Sequence, residues 1–169
     1  MNKALSLAVA ATLSCASLNS EAQTMIGKTT DVAAIANGDR MNAETLWAMG
    51  RIGGAAASPD GNTIVYQVGY YSVKQNKSHQ MLYTISADGK KQCALTTTAA
   101  SETDATWIDG GKRIAFLTGG QLWSMNADGT DRRQLTKSEI DIEGYIFSPD
   151  EKKVILIKSL PYHESIKKN

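Results

Sequence analysis

Residues 82–96 read LYTISADGKKQCALT and residues 122–136 read LWSMNADGTDRRQLT, a match at a constant offset of 40 with no gap. Leu82 answers Leu122, Tyr83 answers Trp123, Ala87-Asp88-Gly89 answers Ala127-Asp128-Gly129, and Leu95-Thr96 answers Leu135-Thr136. A second pattern leads into each copy. Ser58-Pro59-Asp60-Gly61 precedes Ile64-Val65-Tyr66, Asp109-Gly110-Gly111 precedes Ile114-Ala115-Phe116, and Ser148-Pro149-Asp150-Glu151 precedes Val154-Ile155-Leu156. Several short strands repeating at about 40 residues mark the blades of a β-propeller.

Each unit resolves into four strands. In the first, Ala55–Ala57 leads into a Ser-Pro-Asp-Gly turn, in which Pro59 presets φ and Gly61 takes a positive φ. Asn62–Val68 and Gln80–Ser86 follow, then an Asp88-Gly89 hairpin turn and a fourth strand at Lys91–Leu95. The second unit repeats this at 104–107, 112–118, 121–126 and 132–135, and a third begins at 145–148 and 153–158. The second strands are continuous apolar runs: Ile64-Val65-Tyr66, Ile114-Ala115-Phe116-Leu117 and Val154-Ile155-Leu156-Ile157. A sheet with one wet face alternates, so unbroken runs imply burial on both faces, as in stacked blades. The fold class is all-β: about two and a half four-stranded antiparallel blades with a short N-terminal helix. The divisions are 1–22 leader, 23–54 lead-in and helix, 55–96 blade one, 97–136 blade two, and 137–169 the start of blade three. The outer face of that last unit is expected to lie open, with about four large apolar side chains uncovered within 145–158.

The 169 residues suffice for one ordinary domain, and their charges sum to +1, which argues against nucleic acid or anionic membrane as a partner. With 42% hydrophobic residues, disorder is excluded as the dominant state. The front end reads as a secretory signal. Lys3 is the basic segment, Ala4–Leu13 the apolar one, and Ser20-Glu21-Ala22 the small-residue site for a cut before Gln23. The implied location is periplasmic or secreted. Cys15 offers a lipoprotein alternative, but Thr12-Leu13-Ser14 before it fits a lipoprotein box poorly. Removal of the leader leaves Cys93, read as a free thiol on a strand or as half of a pair with an outside partner.

Residues 23–41 are a small, polar lead-in. Asn42 is a helix N-cap with Glu44 in the first turn, Leu46, Met49 and Ile52 form one apolar face, and Gly53-Gly54 ends the helix. The Ser-Pro-Asp-Gly and Asp-Gly turns share one rim. The loop 69–80, with Tyr70, Tyr71 and His79, shares the other with links 97–103 and 137–144.

Candidate chemistry is sparse. A GxSxG nucleophile elbow and a Gly-rich phosphate loop are both missing from the sequence, and His79 and His163 have no metal-ligand spacing. Catalytic, cofactor-binding and metal residues are therefore expected to be none, and cofactors none. Asn126–Asp131 resembles a calcium loop faintly, without glycine at the sixth position or glutamate at the twelfth, and a hairpin turn accounts for it better. The basic pairs Lys90-Lys91, Arg132-Arg133 and Lys152-Lys153 read as guards against outer-strand pairing. Glu102, Asp104, Glu139, Asp141 and Glu143 fall on the link rim, read as a solvated rim or, if they converge, as a holder for a substrate's ammonium group.

Ser-Pro-Asp-Gly followed by Ile-Val-Tyr, Leu-Trp-Ser-Met-Asn-Ala-Asp-Gly and Arg-Gln-Leu-Thr resemble the WD40-like repeat of bacterial periplasmic propellers. Thr45-Leu46-Trp47 running through Arg51-Ile52 into the first turn is similar to the start of the prolyl oligopeptidase family of serine peptidases, in its bacterial acylaminoacyl-peptidase and dipeptidyl-peptidase branch. The resemblance covers about residues 40–158. It implies a propeller that restricts entry to short peptides, beside an α/β-hydrolase domain that holds the catalytic serine, aspartate and histidine and releases dipeptides. The partner is then a peptide substrate, and no position of this chain carries a catalytic role. The alternative is a non-catalytic periplasmic propeller that binds a protein, like that of the Tol system.

Overall fold

The computed structural model describes residues 41–73, 75–96 and 98–160. The leader, most of the lead-in and His163 lie outside the described residues. The first described element is the helix α1 (Ala43–Ala48), capped by the Asn42 side chain, whose Oδ1 accepts from the Thr45 N–H at 2.7 Å and the Thr45 hydroxyl at 2.8 Å. That satisfies an amide with no partner inside the helix. The helix is shorter than its apolar spacing suggests. Strand β1 (Arg51–Ala57) takes over where the helix was expected to continue through Ile52, because Arg51 and Ile52 pair with Gly69 and Val68 of the next strand. Leu46 and Ile52 are exposed, and the buried helix residue is Thr45.

The remaining strands are β2 (Thr63–Ser72), β3 (Lys77–Ser86), β4 (Gln92–Ala94), β5 (Thr103–Ile108), β6 (Arg113–Thr118), β7 (Gln121–Asn126), β8 (Arg133–Gln134), β9 (Gly144–Phe147) and β10 (Val154–Ile157). They form two four-stranded antiparallel sheets, β1-β2-β3-β4 and β5-β6-β7-β8, and a two-stranded sheet β9-β10. The expected blades are present. The expected long loop is not: β2 and β3 stay paired out to Ser72↔Lys77, and the Asn76 N–H donates to the Val73 carbonyl at 3.2 Å where the hairpin turns. Tyr70, Tyr71 and His79 are strand residues, with Tyr70 opposite His79. The β-branched and aromatic content of this stretch favours strand, and Gly69 and the polar residues around it do not interrupt the ladder.

The repeated motifs close the sheets by repeated hydrogen bonds. In Ser58-Pro59-Asp60, the Ser58 hydroxyl donates to Asp60 Oδ1 at 2.5 Å and accepts from the Thr63 N–H at 3.0 Å. Ser86 does the same with Asp88 and the Lys91 N–H, and Ser148 with Asp150 and the Lys153 N–H. These hydroxyl and backbone bonds hold the Asp60, Asp88 and Asp150 carboxyls below their ordinary range. The Leu-Thr motif ends each complete blade. The Leu95 N–H donates to the Leu82 carbonyl while the Leu82 N–H donates to the Thr96 hydroxyl, at 2.8 and 2.7 Å. Leu135, Leu122 and Thr136 repeat the pair at 2.8 and 2.9 Å. Threonine thus lends its side-chain oxygen where the β-ladder has run out.

The unbroken apolar run of β6 serves both faces of its sheet. Ile114 and Phe116 join Val65, Leu82, Leu95 and Met125 in a buried layer between the first and second blades. Ala115 and Leu117 point the other way and join Leu122, Ile142 and Tyr145, with Phe147 and Leu156 packed alongside, in a layer between the second and third. Trp107 locks the first layer, its indole N–H donating to the Ala56 carbonyl at 2.9 Å. Tyr145 locks the second, its hydroxyl lying 2.5 Å from the Asp104 carbonyl and 2.9 Å from that of Ala115. Burial raises the Tyr145 hydroxyl far above its ordinary value. On the opposite face of the third unit Ile146, Ile155 and Ile157 are 59%, 65% and 50% exposed. Val154, opposite Phe147 in the register, is 38% exposed as well, so four large apolar side chains of this unit are uncovered, as expected. Cys93, half-buried on β4, has a partner and is not a free thiol.

Candidate functional site

Two places gather polar or charged side chains with unusual surroundings. The first lies between blades one and two. Glu102, at the end of the link into β5, is fully buried, which overturns its reading as a solvated rim carboxylate. Its Oε2 accepts from the Thr96 hydroxyl at 2.8 Å, its Oε1 pairs with the Arg132 guanidinium, and its own N–H donates to the Gln80 carbonyl at 3.0 Å. Arg132 in turn lies over the Phe116 ring at 4.9 Å, so this arginine is drawn inward rather than guarding an outer strand. Burial pushes the Glu102 carboxyl above its ordinary range, against the opposing pull of Arg132 and Thr96. The group is spoken for on both oxygens, which suits a tie between blades and not a substrate ligand.

The other rim carboxylates do not complete a site with it. Asp104 is fixed through its backbone, where the N–H donates to Gln67 Oε1 at 3.2 Å, and Glu143 accepts from the Ser159 hydroxyl at 2.7 Å. Among the described residues, no three His, Cys, Asp or Glu side chains come together to hold a metal ion. At Asn126–Asp131 the oxygens face protein donors. Asp128 Oδ1 accepts from the Thr130 N–H and hydroxyl at 2.9 and 2.6 Å, and Asp131 pairs with Arg113 at 2.9 Å and Arg133 at 2.7 Å. His79 is buried with no partner for Nε2, and burial holds its pKa below the ordinary value, so it is neutral near pH 7. No described helix is long and apolar enough to cross a membrane.

The second place is a cavity of about 400 Å³ between α1 and the tip of the β2–β3 hairpin, lined by Trp47, Tyr71, Ser72, Val73, Lys77 and others of the turn. The Trp47 and Tyr71 rings meet edge to face at 5.7 Å, and the Arg51 guanidinium sits 4.8 Å from the first ring and 4.5 Å from the second. Sequence reasoning missed this group. Trp47 and Arg51 are four apart, which a reader can see, but Tyr71 and Lys77 join them only because β2 and β3 run on to Ser72 and Lys77.

The fold and its two packed interfaces define a class: the stacked antiparallel blades of a partial β-propeller. A solved structure of an acylaminoacyl peptidase in complex with Z-Gly-Gly-Phe-chloromethyl ketone superposes with a TM-score of 0.58 at 12% identity, over 69% of this chain and 19% of that one. At that identity the likeness concerns the fold alone. Sequence relatedness is more particular. The chain is 40% identical over 119 residues to Dipeptidyl-peptidase 5 of Porphyromonas endodontalis, covering 68% of this chain and 17% of that protein. It is 39% identical over 134 residues to Dipeptidyl-peptidase 5 of Porphyromonas gingivalis, covering 77% of this chain and 20% of that protein. The chain thus spans about a fifth of the length of the curated relatives it matches. No family model matches it.

Proposed function

We propose that this chain is the substrate-gating propeller portion of an exported serine peptidase that hydrolyses short peptides and releases dipeptides. The observation that carries the reading is the 40% identity over 119 residues to a protein named Dipeptidyl-peptidase 5. The catalytic serine, aspartate and histidine belong to a hydrolase domain outside these residues, and the propeller restricts which peptides reach them. Export follows from Lys3, the apolar run Ala4–Leu13 and Ser20-Glu21-Ala22, with the cut after Ala22.

The open isoleucine face supports the same reading. Both blade interfaces draw on alternate residues of a second strand, Ile114 and Phe116 in one and Ala115 and Leu117 in the other, and Ile155 and Ile157 of β10, with Ile146 of β9 beside them, repeat that pattern on an exposed face. Fully burying one such side chain is worth ~1.5–3 kcal/mol, so covering the exposed half or more of all three contributes roughly 2–5 kcal/mol. That suits the docking of a further blade.

The test compares two polypeptides on a chromogenic dipeptide substrate: this chain, and the chain continued beyond Asn169. Hydrolysis by the longer one alone is expected. Turnover by the short chain, abolished by replacing a serine within residues 23–169, overturns the proposal. Inactivity of both transfers the assignment to a propeller that binds a protein.

A further inference from the structure

The cavity beside α1 has a chemistry that blade packing does not require. Its walls are apolar and aromatic, from Trp47, Tyr71 and Val73, and Val73 is 68% exposed. Among the described residues its charge is positive: Lys77 lines it, Arg51 backs its two rings, and no carboxylate lines it. Among the described residues Lys77 has no ion pair, and Arg51 reaches only the Leu46 carbonyl, with Nη2 at 3.4 Å. Arg51 Nη1 is buried and has no acceptor among the described residues. A buried donor without an acceptor costs ~1–3 kcal/mol, and native proteins leave few of them. Stacking on two rings holds the guanidinium in place but supplies no hydrogen bond. Ser72 and Ser78 add hydroxyls to the same wall. About 400 Å³ lies within the range of small-molecule sites, roughly 300–1,000 Å³, which join apolar walls to a few placed polar groups.

We propose that this cavity binds a small carboxylate with an apolar body, the apolar part against Trp47, Tyr71 and Val73 and the carboxylate toward Lys77. A peptide's C-terminal aromatic residue and a free aryl-alkanoic acid both present that chemistry. The site is independent of peptidase activity, so binding tests it without a catalytic domain.

The experiment titrates the full chain by calorimetry with N-acetyl-phenylalanine, N-acetyl-phenylalanine amide and 3-phenylpropionate. Saturable binding of the acids is expected, with the amide about tenfold weaker, since an ionised acceptor makes the stronger bond. Tighter binding of N-acetyl-phenylalanine than of 3-phenylpropionate assigns the site to peptide ends, and equal binding assigns it to free acids. Lys77→Met lowers affinity for the acids about tenfold and leaves the amide unchanged, whereas Trp47→Ala weakens all three. Lys77 is exposed, so its variant folds even where loss of Trp47 disturbs α1. The proposal is overturned if neither acid binds saturably, if acid and amide bind alike, or if Lys77→Met changes nothing.

Discussion

Replacing Arg132 with alanine isolates the buried tie between the first two blades. The substitution leaves the Glu102 carboxylate fully buried, with the Thr96 hydroxyl at 2.8 Å as its remaining side-chain donor. Removing one partner of a buried ion pair costs about 3–5 kcal/mol, because the other charge is left uncompensated. The guanidinium also leaves the Phe116 ring, which opens space in the layer shared by Val65, Leu82 and Met125. A loss of about 3–5 kcal/mol is a large part of the ~5–15 kcal/mol that holds a domain together. The assay is urea unfolding followed by tryptophan fluorescence, since Trp107 and Trp123 pack against that layer. The sign of the pH effect is fixed as well. A carboxyl whose folded pKa is raised binds its proton more readily folded than unfolded, so its penalty is smallest near and below the unfolded value of about 4.5 and grows as pH rises through the folded pKa. The Arg132→Ala deficit is therefore larger at pH 8 than at pH 5. The double variant Glu102→Leu, Arg132→Met recovers most of the loss, because an apolar pair of similar volume needs no counter-charge. A deficit under about 1 kcal/mol, or one equal at pH 5 and pH 8, refutes the reasoning.

Thr96→Val removes the acceptor for the buried Leu82 N–H and the donor to Glu102; it costs about 1–3 kcal/mol and speeds hydrogen exchange at Leu82, while Thr136→Val, at a half-buried site, costs less in the same denaturation assay. His79, whose folded pKa is depressed by burial, contributes stability that is fully present above pH ~6.5 and is lost as pH falls through that unfolded value toward the lower folded one. Unfolding midpoints of the native chain and of His79→Leu converge in slope below pH ~6.5 only if that assignment is wrong. Ile155→Lys breaks the exposed isoleucine face, and sedimentation velocity is expected to show less self-association than for the native chain, with the first two blades unaltered.

The blades were legible because their signals are local and repeated. Ser58, Ser86 and Ser148 each meet an aspartate two residues on, and that geometry needs no knowledge of the rest of the chain. The two-faced burial of Ile114-Ala115-Phe116-Leu117 was legible for a different reason: a period-2 strand cannot present an unbroken apolar run to one core alone. What escaped depends on long-range pairing. Ile52 fits a helical spacing, yet partnership with Val68 draws it into β1. Tyr70, Tyr71 and His79 read as loop residues, and the extended β2–β3 ladder places them on strands. Glu102 reads as solvated because its neighbours in sequence are polar, and its burial is set by Arg132, thirty residues away. The Trp47–Arg51–Tyr71 group escaped in the same way, since its parts meet only after the sheet forms.

We propose above that these blades are one portion of a larger serine peptidase. Active-site labelling tests it most directly. Cells that make the protein are treated with a serine-directed fluorophosphonate, and the polypeptide recognised by an antibody against residues 41–160 is resolved by mass. A labelled species several times the 18.2 kDa of this chain is expected. An unlabelled species of 18.2 kDa or less contradicts it.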